Sequence, residues 1–207
     1  MIDQIKFSIL KTLIILDWDN TIYPSSAIDE NILSYLDIEK IDKVIYKLLS
    51  HLLAFGNVII ITNATKNWVF KCLENLKFTK QLMEKIYVIS ARDLLYGYDE
   101  VEHDLWKVAV FEYIIKTYYD HTNNIISIGD DIYEYKALVN IAKKTMKENI
   151  KTDKKFKTIK MFKYPELQLF IKELNLIREK FYKVYETNKN MDLVINIVGE
   201  NNSKPKF

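Results

Sequence analysis

The sequence predicts an α/β protein, a doubly wound parallel sheet with helices on both faces and no substantial cap domain. Three observations predict it. Short, uninterrupted apolar runs alternate with amphipathic helical stretches, the pattern of parallel strands buried on both faces. Several of those runs end in polar residues, where open α/β sheets bind ligands. The 207 residues, 49% hydrophobic and 13% aromatic, suffice for one core and exclude an intrinsically disordered chain.

The elements follow in order. Residues 12–16 form an apolar run closed by Asp17, a buried first strand. Over residues 38–55, Ile41, Val44, Ile45, Leu48, Leu49 and Leu52 recur at helical spacing, and Gly56 stands at the stop. Residues 58–61 give a second strand, and 65–76 a helix with Val69, Cys72, Leu73 and Leu76 on one face. A third strand at 86–89, a helix at 104–118, a fourth strand at 125–128 and a helix at 133–142 continue the alternation. Residues 156–161 read as a weaker fifth strand. From Pro165, in the first turn, a long helix carries the stripe Leu167, Phe170, Ile171, Leu174, Ile177 and Phe181. The run at 193–198 reads equally as an edge strand or a disordered end. Residues 1–187 are therefore expected to form one domain (core 12–177), with 188–207 as a tail.

Charge and cysteine content narrow the classes. Lys and Arg number 30 against 28 Asp and Glu, so no global field marks a nucleic-acid or membrane-surface protein. No apolar run is long enough to span a bilayer, and residues 1–11 do not read as a secretory leader, so no membrane partner is expected. The single cysteine, Cys72, makes no internal disulfide and reads as a buried thiol. A cytoplasmic setting, or a nuclear one, is the expectation.

Asp17 and Asp19 follow the first strand two residues apart, with Thr21 two further on; Thr62 and Asn63 follow the second, and Asp130 and Asp131 the fourth. Glu134 lies four residues after Asp130, one helical turn away. Carboxylates converging at neighbouring strand ends need a cation, and an all-oxygen donor set with few carboxylates suits Mg²⁺. Lys107, starting the helix before the fourth strand, brings a positive charge to the same rim, and Thr62 a hydroxyl. Together they suit a phosphoryl group.

In order and spacing these segments resemble the four signature motifs of the haloacid dehalogenase-like superfamily, phosphatase branch. Asp17-Trp18-Asp19-Asn20-Thr21 matches its D-x-D-x-T motif, Thr62 the second, Lys107 the third, and Gly129-Asp130-Asp131-Ile132-Tyr133-Glu134 the acidic fourth. The wording is similar to uncapped members from microbial eukaryotes, and the likeness runs from about Leu13 to Ile177. The resemblance implies a Mg²⁺-dependent hydrolase of phosphate monoesters. Asp17 is then the nucleophile that forms an aspartyl-phosphate, and Asp19 the general acid and base. Thr62, Asn63 and Lys107 are implied to hold the phosphoryl oxygens. Asp17, the Asp19 carbonyl, Asp130 and either Asp131 or Glu134 are implied to hold the metal. Both cap positions read as empty apart from a short loop near 96–103, so the expected substrate is bulky, such as a phosphoprotein or a nucleic-acid end.

Other readings weigh against single features. An EF-hand at Asp17 would need Gly and Glu where Ile22 and Ile28 stand. His51, His103 and His121 lack zinc-site spacing and read as surface or loop residues. Arg92 reads equally as a salt-bridge residue and a substrate contact. Residues 143–163 hold nine lysines and two acids, a solvated face before an anionic-partner site. Trp18, Trp68 and Trp106 read as core or rim packing. The alternatives to a general phosphatase are a catalytically idle scaffold binding through the 143–163 face or the 165–187 helix, a nucleic-acid 3′-phosphatase and a 5′-nucleotidase.

Overall fold

A computed structural model describes residues 10–29, 35–97, 105–147 and 153–197. Six strands, β1 (Thr12–Leu16), β2 (Asn57–Thr62), β3 (Tyr87–Ser90), β4 (Asn124–Gly129), β5 (Lys155–Lys160) and β6 (Met191–Val194), form one sheet in the order β3-β2-β1-β4-β5-β6. Every neighbouring pair is parallel. The helices are α1 (Ser25–Asp29), α2 (Tyr35–Leu53), α3 (Lys66–Leu73), α4 (Ala91–Leu95), α5 (Trp106–Tyr118), α6 (Ile132–Lys147) and α7 (Leu167–Glu186). None of the described helices is long and apolar enough to cross a membrane.

Strand residues alternate between two cores, as the pleat demands. Ile14, Leu16, Ile60, Ile126 and Ile128 pack with Leu48, Leu49 and Phe170 on the α2–α7 face. Leu13, Ile15, Ile59, Ile61 and Ile125 pack with Phe111, Ile114 and Leu138 on the α5–α6 face. All five residues of β1 are buried, so the central strand has no solvent face. From β1 the chain winds outward through β2 to β3, then returns through α5 to β4 on the other flank. That reversal opens a crevice at the carboxyl ends of β1 and β4, where Asp17 and Asp130 follow.

The doubly wound fold is as expected, and several boundaries are corrected. α6 extends past Ala142 to Lys147, because nothing there stops a helix and Thr145 is buried, its hydroxyl bonded back to the Ile141 carbonyl at 2.9 Å. α7 starts at Leu167, so Pro165 stands before the helix and Tyr164 turns the chain with φ 54°. α3 ends at Leu73 rather than near Leu76. The short helices α1 and α4 were not anticipated, nor was the 3-10 turn Thr79–Lys85, whose entry is held by the buried Asp42 accepting from Phe78 N (2.8 Å) and Thr79 N (2.9 Å).

The C-terminal run read at 193–198 is an edge strand with shifted bounds: Met191–Val194 pairs in register with Lys157–Lys160, and residues 195–197 are not strand. The sheet therefore continues past residue 187, and the boundary at Asn188 is corrected. Most of the expected 96–103 loop, His103 included, lies outside the described residues.

Candidate active site

β1 delivers Asp17 to the crevice, with its backbone N–H donating to the Ile128 carbonyl at 3.1 Å. The side chain is buried and meets one cation: Lys107 Nζ stands 2.7 Å from Asp17 Oδ1. Lys107 is the second residue of α5, and it too is buried. Its ammonium also donates to Glu134 Oε1 from the first turn of α6, so one lysine joins β1, α5 and α6.

Burial drives the Asp17 carboxyl well above its ordinary value against the pull of Lys107, and Glu134 and Asp130 push it further. Burial works against the Lys107 charge too, but Asp17 and Glu134 outweigh it and hold the ammonium above its usual range.

Glu134 owes its seat to a missing side chain. A Cβ at Gly129 would lie 2.6 Å from Glu134 Oε2, so any larger residue there would push the Glu134 side chain from its seat. That Oε2 is buried without a hydrogen-bond partner.

Asp130 is tied to the first motif twice. Its N–H donates to Thr21 Oγ1 at 3.0 Å, and the Thr21 hydroxyl donates to Asp130 Oδ1 at 3.3 Å. Lys160 Nζ donates to the Asp130 carbonyl. Burial, then Glu134, raises the Asp130 carboxyl to about 6.

The first motif is a tight turn. The Trp18 carbonyl accepts from the N–H groups of Thr21, Ile22 and Tyr23 at 3.3, 2.9 and 2.9 Å. Asn20 sits at φ 54°, which asparagine tolerates better than most residues, and its side chain accepts from Ser26 N at 3.1 Å. The half-buried Asp19 receives two donors on one oxygen: Ser25 Oγ and, at 2.9 Å, Trp68 Nε1 from α3.

Thr62 ends β2 fully buried, its Oγ1 accepting from Ala64 N at 2.9 Å. Asn63 follows half-buried, with a partnerless Oδ1. The loop they open is pinned where β3 meets α4, by Ser90 Oγ on the Ala64 carbonyl (2.7 Å) and Lys66 N on Asp93 (2.7 Å).

Asp17, Lys107, Glu134 and Asp130 are thus brought together, with Asp19 and Thr62 at the adjoining strand ends. Asp131 is not. It stands just before α6, where its carboxylate accepts from its neighbour Ile132 N at 2.6 Å and pairs with Lys163 at 2.9 Å. Burial would raise its carboxyl, but Lys163 and the Ile132 N–H hold it below the ordinary value. Of the two acids left open for the fourth motif, Glu134 is therefore the one joined to Lys107, and Asp131 the one paired with Lys163.

Among the described residues no three His, Cys, Asp or Glu side chains gather closely enough to hold a metal ion. What stands is a smaller oxygen site. Burial first, and then the neighbouring carboxylates, raise the Asp17 and Asp130 carboxyls above their ordinary values. A hard divalent ion taking one or two carboxylates, with water and phosphate oxygens for the rest, fits that pair.

Sequence reasoning missed Ser25, Lys160 and the buried Glu173, and gave Trp68 only a packing role. Glu173 Oε1 accepts from Phe162 N at 2.8 Å, Oε2 has no partner, and burial raises the carboxyl to about 8. No sequence signal distinguishes it from the other polar residues of α7.

The lysine run is a solvated face only in part: Lys143, Lys144 and Lys163 are exposed, Lys157 is buried, and Lys151 lies outside the described residues. Lys144 pairs with Glu112, Lys154 donates to the Thr122 carbonyl, Lys157 to the carbonyls of Val184 and Tyr185, Lys160 to Asp130 and Lys163 to Asp131. Much of its charge is spent within the fold. His51 packs between Phe55 and Phe181 instead of lying on the surface, whereas His121 and Arg92 are exposed. A cavity of about 470 Å³ lies at the opposite end of the sheet among Lys11, Asn124, Lys157 and Tyr185, away from these groups.

No protein-family model matches the chain, and comparison with curated proteins and with solved structures returns no match.

Proposed function

We propose that this chain is a Mg²⁺-dependent phosphatase of the haloacid dehalogenase-like type, hydrolysing phosphate monoesters through an aspartyl-phosphate on Asp17. The observation that carries the reading is the buried Asp17–Lys107 pair, 2.7 Å apart, at the carboxyl end of the central strand beside Asp130. A buried lysine against a nucleophilic carboxylate steadies the anion and presents positive charge to an incoming phosphoryl oxygen.

In the proposed reaction an Asp17 oxygen bonds to phosphorus as the bond to the leaving oxygen breaks, and Asp19 gives that oxygen its proton. Water then attacks phosphorus while Asp19 takes its proton, releasing phosphate and restoring Asp17. Thr62 and Asn63, on the pinned loop after β2, supply polar groups to the phosphoryl oxygens. Glu134 serves this reading as the residue that holds Lys107, and Asp17, Asp130 and the Asp19 carbonyl would hold Mg²⁺. The ion supplies charge neutralisation, without which a carboxylate is repelled by a phosphate dianion.

Between β1 and α2 the described residues carry only the five-residue α1, which supports an open site and a bulky phosphorylated substrate. Hydrolysis of p-nitrophenyl phosphate with Mg²⁺ but not with EDTA, and its loss in Asp17→Asn, is the expected result. Full activity in Asp17→Asn ends the reading.

A further inference from the structure

We infer that Trp68 and Ser25 are positioning residues that fix Asp19 as a proton donor aimed by one of its two oxygens. The inference rests on the function proposed above and deepens it, since it concerns which phosphate esters that site turns over well.

Asp19 is less enclosed than Asp17 and Asp130, and a half-buried carboxylate on a turn is free to rotate unless held. Here Trp68 Nε1 donates at 2.9 Å to Oδ1, and Ser25 Oγ donates to the same atom. With Oδ1 taken up by two donors, Oδ2 is the oxygen left free to pass a proton to the leaving group. The two donors thereby choose the oxygen that faces the leaving group.

The indole is itself held. Thr65 caps α3 by accepting from the Trp68 backbone N–H at 3.2 Å. The Tyr23 ring meets the Trp68 ring edge-on, at 6.4 Å between centroids and 89° between planes. Tyr23 in turn stacks on the fully buried Trp18, 5.8 Å away and 5° from parallel. The brace on Asp19 therefore runs from the core, through the first motif's own aromatics, into the helix that follows the second. A side chain present only to fill space would not need its single N–H directed at the carboxylate.

Orientation of the acid matters in proportion to how badly the leaving oxygen needs a proton. An alkoxide leaves poorly unprotonated, whereas p-nitrophenolate leaves well alone. The assignment is thus to phosphate esters of alcohols, with Trp68 and Ser25 contributing through Asp19 and not through contact with substrate.

The test compares kcat/KM, which reports phosphoryl transfer to Asp17 and not the later hydrolysis, for glycerol phosphate and p-nitrophenyl phosphate. Trp68→Phe removes the N–H and keeps most of the ring. It is expected to lower kcat/KM for glycerol phosphate by roughly 10- to 100-fold, a part of the usual general-acid contribution, and for p-nitrophenyl phosphate by less than about threefold. Ser25→Ala should give the same selective loss and Ser25→Thr should restore the rate, which keeps the test available if the tryptophan variant misfolds. Equal losses on both substrates, or none on either, overturn the inference while leaving the phosphatase reading intact. A wild-type protein that hydrolyses neither substrate removes that reading, and this inference with it.

Discussion

Lys107 Nζ and Asp17 Oδ1 face each other at 2.7 Å across the junction of α5 and β1, both almost sealed from solvent, and the same ammonium reaches Glu134. Three elements from distant parts of the chain meet on that one cation. It is at once the electrostatic centre of the site and a keystone of the fold.

Removing the cation should therefore cost stability as well as activity. Lys107→Met leaves two buried carboxylates without their partner and is expected to destabilise by about 3–5 kcal/mol. Adding Glu134→Gln should recover part of that loss by removing one orphaned charge. Urea unfolding of the single and double variants measures the coupling. Additive losses would show that the two side chains do not share the contact.

Asp17→Asn should behave in the opposite way. Burial outweighs the attraction of Lys107 at this carboxyl, and Lys107 keeps Glu134 as a counter-charge when Asp17 is neutralised. The variant is expected to be as stable as the wild type or more so, within about 1 kcal/mol. Its turnover should fall on the order of 10³-fold or more. Urea midpoints set beside initial rates check both halves.

The Thr21 hydroxyl both accepts from and donates to Asp130. Thr21→Val leaves the Asp130 N–H unpaired in a buried place and should cost about 1–3 kcal/mol. Thr21→Ser, which retains the hydroxyl, should cost clearly less. The difference between the two variants in chemical denaturation isolates the hydrogen bonds from the packing of the methyl group.

Glu173 gives the fold a pH dependence of definite sign. Its carboxyl is raised from an ordinary 4.5 to about 8, chiefly by burial, with Asp130 adding to the rise and the Phe162 N–H and Lys160 opposing it. The folded state binds this proton more tightly than the unfolded state. Its stabilising contribution is therefore complete below pH 4.5 and is lost as pH rises through about 8. Glu173→Gln keeps the acceptor for Phe162 N and has no proton to lose. Its advantage over the wild type in melting temperature should be small at pH 5 and larger at pH 8.

The sheet was legible because parallel strands buried on both faces are written as continuous apolar runs, as in residues 12–16 and 58–61. The site's acids were legible because Asp17 and Asp130 directly follow such runs. What periodicity does not carry is direction at a helix start. Asp131 and Glu134 could not be separated until α6 was seen to begin at Ile132, which sends Asp131 to Lys163 and brings Glu134 one turn on, to Lys107.

Composition misled at residues 143–163 for a related reason. A charge run says nothing about which carbonyls or carboxylates the fold places within reach. Lys157 is fully buried because its ammonium finds the last carbonyls of α7, a partner 27 residues away. Trp68 and Ser25 escaped notice because their polar atoms reach Asp19 only after the first motif's turn and the start of α3 have been laid side by side.

The place of β6 bears on how this chain is made. Of the six strands it leaves the ribosome last, after α7, and it closes the flank of β5 through Lys157–Lys160. Until then β5 presents a bare hydrogen-bonding edge, and Asp192 has yet to meet Tyr135 and Thr158. Cutting the polypeptide after Thr187 would make that transient state permanent, leaving a sticky border on an otherwise finished sheet.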